Sequence, residues 1–101
     1  MLINDQSLAL HETVEQMGYG SIEAFALTQA KEKVLQEISA CVKNIEIFEE
    51  KYKMDYADFC KNFSQSQIAV FEKEDDSASW NAELEQLNIL QKRLSRLAYC
   101  Y

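Results

Sequence analysis

The chain has 101 residues, a formal net charge of −7, 48% hydrophobic residues, no proline and two glycines, Gly18 and Gly20. That is the length of one domain, with enough apolar material for a core, which argues against global disorder. No apolar run approaches the roughly 20 residues that span a bilayer, and an acidic chain repels phosphate backbones, which argues against nucleic-acid binding.

Residues 1–20 form an N-terminal segment that admits two readings. Gln6-Ser7-Leu8-Ala9-Leu10 suits a short strand or the start of a helix, and His11 to Met17 reads as helix with Val14 and Met17 on one side. Gly18-Tyr19-Gly20 is a stop, because glycine enters the left-handed cap conformation cheaply. Ser21 then suits an N-cap, with Glu23 in the first turn at the positive end of the helix dipole.

From Ile22 the helical pattern is strong. Val34, Ile38, Cys41, Ile45, Phe48 and Tyr52 recur at spacings of 4, 3, 4, 3 and 4, a heptad seam that Leu35 and Val42 widen. With neither proline nor glycine to stop it, the helix runs from about residue 22 to 52, roughly 45 Å. A compact domain of this size has a radius of gyration near 13 Å, so such a helix overhangs. Either it kinks or a second chain covers it, and the seam with its overhang predicts a homodimer.

Asp55 is the next N-cap, with Asp58 in the first turn and Met54 and Phe59 placed for a hydrophobic staple. A short helix to about residue 62 or 63 follows. Ser64-Gln65-Ser66-Gln67 is a polar connector, after which Ile68, Val70 and Phe71 are expected to dock on the core. The acidic run Glu72-Lys73-Glu74-Asp75-Asp76-Ser77 is expected to cap a last helix from about 78 to 99, through Asp75, Asp76 or Ser77. Its apolar stripe is Trp80, Leu84, Leu87, Leu94 and Ala98, with Leu90 and Leu97 beside it. The expected fold is a single all-α domain over 1–101, a long antiparallel helical hairpin over 22–99 with a short capped helix between.

Little here carries chemistry. His11 is the one histidine and has no Cys or His at metal-ligand spacing. Cys41, Cys60 and Cys100 fit no Cys-x-x-Cys pattern and read as reduced thiols of a cytoplasmic protein, Cys41 as a core residue. No secretory signal is visible in Met1-Leu2-Ile3-Asn4-Asp5. The clusters Glu46, Glu49, Glu50 and Glu72, Glu74, Asp75, Asp76 lack the Glu-x-x-His of a di-iron site and the turn glycine of a calcium loop. Gly18-Tyr19-Gly20 is too short for a phosphate cradle. No enzymatic activity, metal or cofactor is expected.

Residues 1–50 hold nine Asp/Glu against three Lys, and residues 51–101 eight against seven Lys/Arg. An acidic first half suits a basic partner protein or simple solubility. Tyr52, Tyr56, Phe59, Phe63, Phe71 and Trp80 gather around the middle connection, where aromatics suit an ordinary core or, with a charged rim, a binding surface, Tyr56, Phe71 and Trp80 being the candidates for contact. The expected partner-binding residues are therefore Glu46, Glu49, Glu50, Tyr56, Phe71, Asp75, Asp76 and Trp80. Tyr99, Cys100 and Tyr101 would be exposed unless something covers them.

Two stretches carry a resemblance. Leu8 to Phe25, with its Gly18-Tyr19-Gly20-Ser21 turn, resembles the ribbon-helix-helix pattern of a short strand and two helices. That family implies a DNA-binding regulator whose strands, here residues 6–10, pair across a dimer. It departs from that pattern in having no Lys or Arg before Lys31. Phe48 to Phe59, with Glu74-Asp75-Asp76 and Trp80, resembles small helical proteins regarded as antitoxins of bacterial toxin–antitoxin pairs. What this implies is a cytoplasmic protein that neutralises a basic, ribonuclease-like toxin through an acidic helical surface.

Overall fold

The computed structural model describes residues 2–65 and 68–99, and all regular structure among them is helical. The elements are α1 (Leu2–Gln16), α2 (Ile22–Tyr52), α3 (Tyr56–Lys61), a 3₁₀ turn at Phe63–Gln65, and α4 (Val70–Tyr99). Ser66, Gln67, Cys100 and Tyr101 of the expectations above lie outside the described residues, as does the Tyr99 side chain.

Residues 6–10 are helix rather than strand. A strand must find a second strand for its backbone groups, whereas a helix satisfies them locally. α1 closes on a Schellman motif: Gly18 has φ 94°, its N–H reaches the Glu15 carbonyl at 3.0 Å, and the Tyr19 N–H reaches the Val14 carbonyl at 3.2 Å. Val14 is buried there, while Met17, expected on the same side, is exposed because the chain has already turned away.

α2 begins where Ser21 Oγ accepts from the Ala24 N–H at 3.0 Å, and it is continuous through Tyr52. Lys53 ends it in the left-handed region, at φ 58° and ψ 34°. Asp55 then caps α3, its Oδ1 accepting from the Asp58 N–H at 2.9 Å. Met54 and Phe59 join one apolar cluster.

α4 begins at Val70, eight residues before the expected start. The acidic run lies inside the helix, in its first turns, where carboxylates suit the dipole as well as they would as caps. Starting earlier also rotates the flanking apolar residues. Ile68 packs on the core, but Val70 and Phe71 are exposed rather than docked, Phe71 at 83%.

α4 returns along α2 as a helical hairpin with two buried clusters. Ile45, Tyr52, Phe59 and Trp80 form the one beside the connection, with Phe48, Tyr56, Phe63 and Leu84 packed around it. Val34, Cys41 and Leu90 form the other, with Ile38, Leu94 and Leu97, and Leu87 touches both. The seam of α2 is thus covered by α4 of the same chain from Val34 onward, so these residues are not free to pair with a second copy. The overhang is shorter than the seam pattern suggests: residues 22–33, with α1 lying against α2. The molecule is long and thin, 65 × 29 × 17 Å, with a radius of gyration of 20.9 Å.

Candidate interaction surface

The polar groups that converge in the fold are structural. Lys51 Nζ donates to Asp76 Oδ2 at 2.6 Å and to Glu72 Oε2 at 2.7 Å. Tyr52 OH donates to the same Asp76 oxygen at 2.6 Å. Burial pushes the Asp76 carboxyl up, but the Lys51 and Tyr52 hydrogen bonds and the Lys51 charge outweigh it and hold it below its ordinary value. Burial, then the bond to Asp76, pushes the Tyr52 phenol up to about 12. The same carboxylates, Asp76 foremost, raise the Lys51 pKa and keep it charged. This network ties the end of α2 to the start of α4. One turn away, Tyr56 OH and Ser77 Oγ are 3.1 Å apart. Lys73 is buried, its Nζ donating to the Phe63 carbonyl and lying 4.8 Å from the Phe63 ring centre. It pins the 3₁₀ turn to α4.

The expected partner residues do not form one surface. Trp80 is fully buried, stacked against Phe48 at 5.5 Å and Tyr52 at 6.0 Å, so it belongs to the core and cannot meet a partner. Asp76 and Tyr56 are spent on the contacts above. Glu46 and Glu50 are exposed on α2 and Glu49 is half-buried there, whereas Phe71 and Asp75 are exposed on α4. By helical register Phe71 and Asp75 point away from α2, because the α4 residues that meet it are Trp80, Leu84, Leu87 and Leu90. Of the seam, Val34, Cys41, Ile45 and Tyr52 are buried, and Ile38 and Phe48 partly so.

Two features went unread in the sequence. Leu35 and Val42, taken as widening the seam, stay 50% and 37% exposed on its flank. They fall one residue after Val34 and Cys41, so they sit about 100° around the helix from the covered side. That offset is the signal that could have placed them. They share a stripe with Glu32, Ser39, Glu46 and Glu49, at spacings of 3, 4, 3, 4 and 3, and no Lys or Arg is among these six. The second feature is Lys51 with Lys73, each of which supports the connection through a contact distant in sequence.

The remaining reactive groups are dispersed. His11 Nδ1 lies 2.8 Å from the Ser7 carbonyl of its own helix. Cys41 is buried, and burial and then Glu83 raise its thiol pKa, which disfavours the nucleophilic thiolate. A recess of about 390 Å³ between α2 and the end of α4 is lined by Val34, Arg93, Arg96 and Leu97. Among the described residues no three His, Cys, Asp or Glu side chains are grouped to hold a metal ion, and no helix is long and apolar enough to cross a membrane. No family model, curated protein or solved structure matches the chain.

Proposed function

We propose that this protein is a non-enzymatic interaction module, antitoxin-like, that binds and neutralises a basic, ribonuclease-like protein through the acidic flank of α2. The observation that carries the reading is the stripe of Glu32, Leu35, Ser39, Val42, Glu46 and Glu49, in which two exposed aliphatic side chains are framed by carboxylates. Apolar centres with a charged rim are a common anatomy of a protein interface, and a rim in which carboxylates predominate favours a basic partner and speeds its encounter. Glu50 lies at the edge of this flank, its carboxylate paired with Lys53. The protein acts in the cytoplasm, with its thiols reduced, and as a homodimer it carries two such flanks. No observation favours a DNA-binding ribbon, since residues 6–10 are helical and no Lys or Arg precedes Lys31.

The test uses the product of the adjacent gene, expected on this reading to be a small basic protein. Wild-type chain is expected to bind it in calorimetry and to suppress its toxicity on co-expression. Val42→Arg and the pair Glu46→Lys, Glu49→Lys are expected to weaken binding about tenfold or more with helicity unchanged, because all three positions lie outside the core. No binding by wild type, or unchanged binding by both variants, removes the reading.

A further inference from the structure

The face of α4 turned away from α2 has a pattern of its own. Phe71, Asp75, Ala78, Ala82, Glu85, Ile89, Lys92 and Arg96 recur at spacings of 4, 3, 4, 3, 4, 3 and 4, a second heptad stripe over nearly the whole helix. All eight are exposed, although the Arg96 side chain also borders the recess beside Val34. An ordinary solvated stripe would carry charge throughout. Here Phe71 is 83% and Ile89 45% exposed, and the two positions between them that lack charge are alanines, small enough for another helix to approach closely. The charges are also sorted, with Asp75 near the N-terminal end, Glu85 at the middle, and Lys92 and Arg96 at the C-terminal end.

We propose that this face is the interface with a second copy of the chain, paired antiparallel about a two-fold axis between Ala82 and Glu85. In that register Asp75 of one copy meets Lys92 of the other, and Phe71 meets Arg96, a guanidinium on an aromatic face. Ala78 meets Ile89, small against large, and Ala82 meets Glu85 at the centre. Each pair occurs twice by symmetry. A parallel pairing sets Asp75 against Asp75 and Lys92 against Lys92, so the charge order selects the antiparallel one. The stripe is about 38 Å long and one helix wide, which places the contact among small, transient interfaces with micromolar affinity. It leaves the α2 flank outward on both copies and does not depend on the partner proposed for that flank.

Sedimentation equilibrium of the full chain alone, at concentrations from about 5 to 500 μM, tests this. Wild type is expected to dimerise. Lys92→Glu and Asp75→Lys each place two like-charge contacts across the axis and are expected to weaken the dimer about tenfold or more. Circular dichroism should be unchanged, since neither side chain packs within the chain. The same-chain exchange Asp75→Lys with Lys92→Asp is expected to restore dimerisation, because both cross-pairs become attractive again. A wild type that stays monomeric throughout overturns the proposal. So does a dimer that either single reversal leaves intact, and so does an exchange variant that fails to recover, which would point to another face or a parallel pairing.

Discussion

Trp80 and Phe71 show how much one position decides. They are nine residues apart on α4, about 900° around the helix, and so lie on opposite faces. One is fully buried and the other 83% exposed. The sequence shows both as aromatics near an acidic run, and only the true start of α4 tells them apart. Among the described residues Trp80 is the largest fully buried side chain, and its Nε1 has no hydrogen-bond partner there. Trp80→Ala is expected to lower stability by about 3–5 kcal/mol in urea denaturation. Trp80→Phe is expected to cost less than half of that, because it keeps an aromatic ring and removes a buried donor that bonds to nothing. Asp76 makes a pH prediction. Its folded pKa lies below the ordinary carboxylate value, so the folded state favours its charged form. The resulting stability is present above about pH 4 and is lost as pH falls through the folded pKa. Asp76→Asn is expected to be less stable than wild type at pH 7, with the gap narrowing as pH falls below the ordinary carboxylate range, as read from denaturation midpoints across a pH series.

Element ends were legible in proportion to how local their cause is. Ser21 and Asp55 cap through their own side chains onto N–H groups three residues on, and both stand out in the sequence. α2 was therefore bounded at residues 22 and 52 from its pattern alone. Its C-terminal stop was not readable by residue type, since Lys53 takes the left-handed conformation usually given to glycine. Lys53→Gly is expected to stabilise the protein by about 0.5–1 kcal/mol, measured by thermal or urea unfolding. The Lys53–Glu50 pair that it removes is exposed and contributes little. The start of α4 is not legible in the sequence, for the opposite reason. Asp75, Asp76 and Ser77 are good caps, but Asp76 is held by Lys51 and Tyr52, a contact across 24 residues that no local pattern records. The acidic flank of α2 was half-visible: its carboxylates stood out, while Leu35 and Val42 looked like core until α4 was seen to cover only the neighbouring side.

At the scale of the molecule, the two buried clusters divide the hairpin lengthwise. The aromatic one, beside the connection, interlocks Phe48, Tyr52, Tyr56, Phe59 and Trp80 with ring centres 4.6–6.0 Å apart. The aliphatic one at the far end has Val34, Cys41 and Leu90 at its centre. Among the described side chains of α1 only Val14 is buried. Amide hydrogen exchange is therefore expected to be slowest near residues 45–52 and 80–87, faster around Val34 and Leu97, and fastest in α1. Equal protection along α2 would contradict that order. The shape has a further consequence. A depth of 17 Å is less than two helix diameters, so a recess such as the one beside Val34, Arg93 and Arg96 lies at the side of the rod rather than inside it. On the reading proposed above, a partner meets the outer edge of a rod, and selectivity comes from how residues are ordered along it.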